Sequence, residues 1–349
     1  MIVTLLLCIV VTQLILFVLG FSSNNTFYEF INAAIIQGVP LLFGATGEII
    51  TEKSGNLNLG IPGIMYIGGI SGIVGGYLYE NSTAAPIGAL CIIIPLLSSF
   101  LGSALMALIY CFLTVTLRVN QNVTGLALTT FGVGIGNFLG GSLLKFFGRT
   151  GSISLNKIAP YFKAKLPFAD SLGNFGKTYL SFGFLAYLAI IIAICASFFL
   201  NRTRAGLSLR AVGENPATAD ATGINVTRYK YLSTIIGSMI AGLGGLYFVM
   251  DYTGGAWTNN GFGDRGWLAI ALVIFAIWRP TSAIFSSFLF GGLYMLCIYI
   301  PGLSSSTTEL INMLPYVVTI LILIVISMRN KRENQPPASL GLSYFREER

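Results

Sequence analysis

Apolar runs alternate with short polar stretches along almost the whole chain. The runs cover residues 1–20, 31–50, 61–78, 87–117, 126–147, 179–200, 231–250, 267–278, 282–300 and 310–328. A helix rises about 1.5 Å per residue, so about twenty residues cross the hydrocarbon of a bilayer. The run 267–278 falls short of that length. It follows a loop rich in glycine and aromatic residues and predicts a broken helix, or one that begins inside the loop. Pro40, with Gly44 and Gly47, interrupts the run 31–50. Gly68, Gly72 and Gly76 recur every four residues in one run, as do Gly132, Gly136 and Gly140 in another. That spacing lines small residues along one helix face, where a neighbouring backbone can approach closely. The pattern predicts an all-α, polytopic membrane protein of about ten transmembrane helices, some of them broken or re-entrant. The run 1–20 has no positive segment ahead of it and no clear small-residue cleavage site, so it reads as the first span and not as a signal peptide. The transmembrane domain is expected over 1–328, and a charged tail, 329–349, carries Pro336 and Pro337 and is expected to be disordered.

Composition narrows the chemistry. Hydrophobic residues make up 54% of the chain and charged residues 9%, against about 25% charged in soluble domains. The formal charge of +7 forms no basic cluster with interleaved aromatics, so nucleic-acid binding is not indicated. There is no histidine, which excludes histidine-based catalysis, most zinc sites and haem held by histidine. The five cysteines lie in apolar runs at no metal-like spacing. No catalytic residue, metal site or bound cofactor is predicted. An even number of spans puts both termini on one side. Basic residues in several short loops (Lys53, Arg118, Arg202 to Lys230, Arg279) and in the tail place that side in the cytoplasm, against the pull of one basic loop over 145–177.

The longest polar stretch between two strongly apolar segments is 203–230. Within it, Asn215 suits a helix N-cap, Pro216 the first helical position and Gly223 the residue just past the end. So short a helix is marginal alone. Either the membrane domain beneath must hold it, or a partner receives it; an ordinary basic loop is the plainer alternative.

Read with its flanks, TRAGLSLRAVGENPATADATGI resembles the cytoplasmic coupling loop of permeases that import branched-chain amino acids, simple sugars and nucleosides at the expense of ATP. The matching positions are Arg202, Thr203, Gly206, Arg210, Ala211, Val212, Gly213, Asn215, Pro216, Ala219, Gly223 and Ile224, while Thr218 replaces the family's first alanine. A further stretch, GEIITEKSGNLNLGIPGIMYIG from Gly47, resembles the family, with Pro62 where the family has a second glutamate, and GFGDRGWLAIALVIFAIWRP from Gly261 looks like a run of the nucleoside permeases, with Asp264 and Ala276 where they have glycine. VNQNVTGLALTTFG from Val119 is similar to the nucleoside permeases in particular. The resemblance implies a transport subunit of the bacterial plasma membrane and not an enzyme. It implies that ATP and magnesium bind a separate ATPase chain, coupled through Arg210, Gly213, Glu214, Asn215, Pro216, Asp220 and Gly223. It further implies a second, related permease subunit, an extracellular substrate-binding lipoprotein and a nucleoside substrate.

A polar solute needs a path lined by polar side chains where helices are interrupted. Gln37, Glu48, Asn58, Asn122, Thr129, Thr130 and Asn137 are the candidates, and amides suit a nucleobase edge or a ribose hydroxyl. Each could instead be interhelical glue. Tyr66, Trp257 and Trp267 could stack on a base. A simple sugar or branched-chain amino acid is the alternative cargo. An ion-coupled secondary transporter is the alternative class, but it would need a relay of carboxylates where Glu48 stands alone.

Overall fold

The computed structural model describes residues 24–83, 86–146, 153–165, 171, 173, 176, 179–300, 304–329 and 335–345; the predicted first span, 1–20, lies outside them. Among the described residues, eight helices are long and apolar enough to cross a membrane. In chain order the helices are α1 (Asn24–Glu52), α2 (Ile61–Ser82), α3 (Gly88–Cys111), α4 (Gln121–Phe146), the short α5 (Ala159–Phe162), α6 (Phe184–Arg202), α7 (Arg204–Glu214), α8 (Pro216–Ala221), α9 (Val226–Tyr247), α10 (Arg265–Phe275), α11 (Pro280–Tyr299), α12 (Ser305–Asn312) and α13 (Leu314–Arg329). Single π-helical turns, Phe112–Thr116 and Phe248–Tyr252, extend α3 and α9.

The centre of the bundle is α1, α2 and α9, whose spans are the most enclosed. Helices α3, α4, α6 and α13 turn much of their apolar surface outward, with Leu97, Leu101, Phe131, Phe138, Ile194 and Phe198 exposed. Glycine sets the closeness of the centre. A Cβ on Gly68 would overlap the backbone of Gly242, and Cβ atoms on Gly47 and Gly237 would each overlap the other's backbone. We expect Gly68→Leu to lower the thermal unfolding temperature sharply, by the equivalent of about 3 kcal/mol or more, since the overlap falls on backbone that cannot rotate away. Gly134→Leu, at a glycine where a Cβ would meet no atom of the described residues within 4 Å, should leave the isolated chain near wild type in the same detergent unfolding assay. Of the other spaced glycines, Gly132 sits against the Gly63 backbone, Gly136 accommodates the Tyr66 ring and Gly140 the Trp257 indole.

Three sequence expectations are corrected. Pro40 does not interrupt α1, which runs for 29 residues through it. One missing N–H is a local cost, and tight packing of Gly38 on the Ser287 backbone and Gly44 on Ala269 and Met65 holds the helix on either side. Residues 204–214 are not loop but helix α7, capped by the Thr203 hydroxyl, which accepts from the Gly206 N–H at 3.0 Å. Residues 335–345, inside the stretch expected to be disordered, lie along the α7–α8 end and hydrogen-bond to it.

The short run is a half-helix. α10 lies along the second half of α1: Arg265 bonds Gln37, Ala269 meets Gly44, and Trp278 just beyond α10 bonds Glu52. Gln37 is nine residues into the span Tyr28–Glu52, about 14 Å at 1.5 Å per residue. α10 therefore starts near mid-depth, and the loop 253–264 enters the bundle to reach it. At its other end this loop is tied down by an antiparallel bridge between Ser154 and Ala256, with Leu155 N–H donating to Gly255 C=O at 3.1 Å and Trp257 N–H to Ile153 C=O at 3.0 Å.

Candidate functional site

Helix α8 is specified at both ends by its own residues. The Asn215 side chain accepts from the Thr218 N–H at 3.0 Å, and Pro216 fills the first turn. At the far end Ile224 N–H reaches Ala219 C=O and Gly223 N–H reaches Asp220 C=O, both at 3.0 Å, with Gly223 at φ +87. This pair of bonds needs the left-handed backbone that glycine adopts without strain. The helix is held from beneath by a small core of Val212, Ala219 and Val226, with Ile224, Tyr229 and Tyr344 packed around it. Glu214, Asn215, Thr218 and Ala221 remain exposed on the opposite side.

Helix α7 presses on the loop 53–60. A Cβ on Gly213 would overlap the Lys53 C=O and lie 3.2 Å from the Gly55 N, so the two backbones touch. Burial, above all, lowers the pKa of Lys53; Glu214 opposes that shift, while Arg210 and Arg279 add to it. The loop then reaches every neighbouring helix. Asn56 Nδ2 donates to Thr234 Oγ1 on α9 at 3.0 Å, and Leu57 N–H to Gln121 Oε1 on α4 at 2.7 Å. The Tyr110 hydroxyl on α3 donates to Leu57 C=O at 2.6 Å. Asn58 N–H donates to Glu48 Oε1 on α1 at 2.9 Å, and the Thr129 hydroxyl on α4 to Leu59 C=O at 2.8 Å. One turn beyond Glu48, Glu52 accepts from the Trp278 indole N–H. Thus the loop joins the α7–α8 pair to four spans and, through Glu52, to the end of α10.

At mid-depth a second cluster forms around Tyr66. Its hydroxyl donates to Asn137 Oδ1 at 2.6 Å and accepts from the Asn260 N–H at 2.8 Å, and Asn137 Nδ2 donates to Asn260 Oδ1 at 2.9 Å. Trp257 and Phe262 meet the Tyr66 ring edge-on, at centroid distances of 5.1 and 6.5 Å. Arg265 anchors the loop behind them, donating to Gln37 Oε1 at 3.0 Å and to Phe262 C=O at 2.9 Å, and its guanidinium lies within 5.5 Å of the ring centroids of Phe248, Tyr252 and Tyr294.

The seven predicted path residues therefore divide. Gln37, Glu48, Asn58 and Thr129 are buried within the chain and bond its own groups. Asn122 and Thr130 lie on the exposed side of α4, and Asn137, partly exposed, joins the Tyr66 cluster. Sequence reasoning missed Glu52, Asn260 and Arg265 as members of these clusters. For Arg265 the signal was present, since a cation beside the start of an apolar run requires partners inside the protein.

A family model described as the permease component of the branched-chain amino acid transport system matches residues 30–323. The chain belongs to this permease family. It is 32% identical over 303 residues, 86% of this chain and 92% of the relative, to the nucleoside ABC transporter permease protein NupC of Lactococcus lactis subsp. cremoris. It is 28% identical, over 83% of the chain and 89% of the relative, to the guanosine ABC transporter permease protein NupQ of Bacillus subtilis. It is also 32% identical, over 75% and 74%, to TsgC13 of Haloferax volcanii, whose name gives it provisionally as a glucose ABC transporter permease. As a permease of this family the protein is a multi-pass component of the plasma membrane that serves transport.

Proposed function

We propose that this permease imports a nucleoside, driven by a separate ATPase that engages the exposed side of α8. The observation that carries the reading is the backbone contact of Gly213 with the Lys53–Gly55 segment. A push on α7 and α8 must move the loop 53–60, and that loop is bonded to α1, α3, α4 and α9. The permeation path then runs along the exposed side of α4, past Asn122, Thr130 and Asn137, and is closed on its other side by a second permease subunit. A lipoprotein receptor delivers the substrate from outside. Gln37, Glu48, Asn58 and Thr129 brace the walls, and the edge-on aromatics with the Asn137 and Asn260 amides suit a base and a ribose. Nucleoside relatives support this cargo, and the glucose relative makes a sugar the competitor to exclude.

The test is reconstitution of the chain with its ATPase, partner permease and receptor in liposomes. Uptake of radiolabelled guanosine should require ATP and resist competition by excess glucose. Pro216→Gly, which loosens the start of α8, should reduce uptake about tenfold, the scale of a coupling free energy between two sites, while the chain still inserts and assembles. Equal uptake in vesicles without the ATPase would replace this reading with an ion-coupled one.

A further inference from the structure

The last described segment, 335–345, makes a series of specific bonds across three separate parts of the molecule. Near its start Pro336 and Pro337 fix φ and offer no backbone N–H. Two successive turns follow, Leu340 N–H to Pro337 C=O at 3.0 Å and Leu342 N–H to Ser339 C=O at 3.1 Å, with Gly341 at φ +78 in the second. That is the position in a turn of this kind that glycine fills without strain. The turns aim consecutive groups at different partners. Ser339, which is 6% exposed, donates its N–H at 3.0 Å and its hydroxyl at 2.5 Å to Gly213 C=O, near the end of α7. Gly341 N–H donates to Gly55 C=O at 3.1 Å, and Leu342 C=O accepts from Gln121 Nε2 at 3.4 Å. The Tyr344 hydroxyl donates to Asp220 Oδ2 on α8 at 2.9 Å, and its ring closes the small core under that helix. Phe345 lies under the Arg118 guanidinium, 4.6 Å from the ring centroid.

We infer that residues 335–345 form a coupling strap, a positioning segment that binds the α7–α8 pair to the loop 53–60 so that the two move as one body. The inference rests on the reading of α8 as the receiver of force. Contact between Gly213 and the loop transmits a push, because two backbones in van der Waals contact cannot interpenetrate. Contact alone does not transmit a pull. The return stroke needs bonds that hold the same surfaces together when α8 is drawn outward, and the strap supplies them. It bonds both sides of the seam, Gly213 on the α7 side and Gly55 on the loop side, through residues only two apart. Gln121 extends the tie to the start of α4, since its Oε1 holds Leu57 N–H while its Nε2 holds the strap. Glycine at position 55 is part of the seat: φ is +86 there, and a Cβ would stand 2.7 Å from Ser339 Oγ.

Docking of the strap is read without transport. In a chain whose five native cysteines are serine, the pair Tyr344→Cys and Asp220→Cys should be joined by a short bismaleimide in native membranes, whereas Tyr344→Cys with Glu80→Cys should not. Absence of the first cross-link would overturn the strap outright, whatever the protein transports. Its role is read in the complete reconstituted importer as substrate moved per ATP hydrolysed. A chain ending at Glu333 should assemble and hydrolyse ATP within about twofold of wild type, yet move about tenfold less substrate per ATP, within the range of coupling between distant sites. Should the shortened chain fail to assemble, Ser339→Ala with Tyr344→Phe removes only hydroxyl bonds and should lower the same ratio about fivefold. An unchanged ratio in an assembled complex of either variant would overturn the coupling role. ATP-independent uptake by the wild-type complex would be a different failure, that of the importer reading, and would leave the cross-linking result to decide whether the strap is docked.

Discussion

Gly213→Val is expected to leave the chain inserted in the membrane and, on the proposed coupling route, to abolish ATP-driven uptake, with a loss of at least about thirtyfold. A Cβ at this position overlaps the Lys53 C=O, and both the Lys53 C and the Gly55 N lie within 3.2 Å of it. Nothing in that contact is a flexible side-chain end, so α7 must lift away from the loop. Lifting also removes the acceptor of the two Ser339 bonds. The result is a permease whose α8 still offers its exposed residues to a partner but whose movement no longer reaches Asn56, Leu57 and Asn58. The comparison is Gly223→Asn. Gly223 has φ +87 and open space around it; asparagine tolerates that backbone better than other side chains, so uptake should stay within about threefold of wild type, a strain cost below about 1 kcal/mol. Parallel measurement of uptake and ATP hydrolysis in liposomes checks both. Equal loss in the two variants would point to general damage to the segment and against a seam at Gly213.

Arg265→Leu is expected to have the largest effect on stability. The substitution removes hydrogen bonds to Gln37 Oε1 and Phe262 C=O, with a longer one to Gly261 C=O, and takes the cation away from three aromatic rings. Gln37 is buried and its Nε2 has no partner among the described residues, so its whole amide would be stranded there. Each stranded buried group costs about 1–3 kcal/mol, and a desolvated cation–aromatic contact contributes up to about 2 kcal/mol. A total near 4 kcal/mol is a large part of the stability of a typical domain. The thermal unfolding temperature in detergent should fall accordingly. Adding Gln37→Leu should recover about half of the loss, because two apolar side chains leave nothing unpaired where one would. Arg265→Lys should be intermediate, since a single ammonium cannot reproduce the planar fork that bonds Gln37 and Phe262 together. Uptake should not follow stability in the double variant: the loop that presents Asn260 to Tyr66 and Asn137 loses its anchor even when the fold survives.

Helix α8 was legible because every signal for it is local. The Asn215 cap, Pro216 and Gly223 act on groups within four residues, and the structure places each where the sequence predicts. The spans were legible for a similar reason, since twenty apolar residues without charge state their environment alone. α7 was harder. Its buried residues, Gly206, Leu209, Val212 and Gly213, recur at helical spacing along one face, but the segment is short and polar on the whole, so it was read with the polar stretch around it. Glu48 looked solitary in sequence because Glu52, one helical turn on, falls at the edge of the apolar run beside Lys53, and Gln37 could not be joined to Arg265 across 228 residues.

Hydropathy and chain-local hydrogen bonding therefore determined the membrane class, the helix count to within the described residues and the ends of α8. Only the packed structure decided which polar residues look inward and which lie on the open side of α4. It alone set Gly213 against Lys53, and laid residues 335–345 of the predicted loose tail across that contact. The reason is physical: caps and spans are settled by free energies between neighbours in the chain, whereas a buried amide or a glycine seam has no preference until helices distant in sequence arrive to satisfy or exclude it.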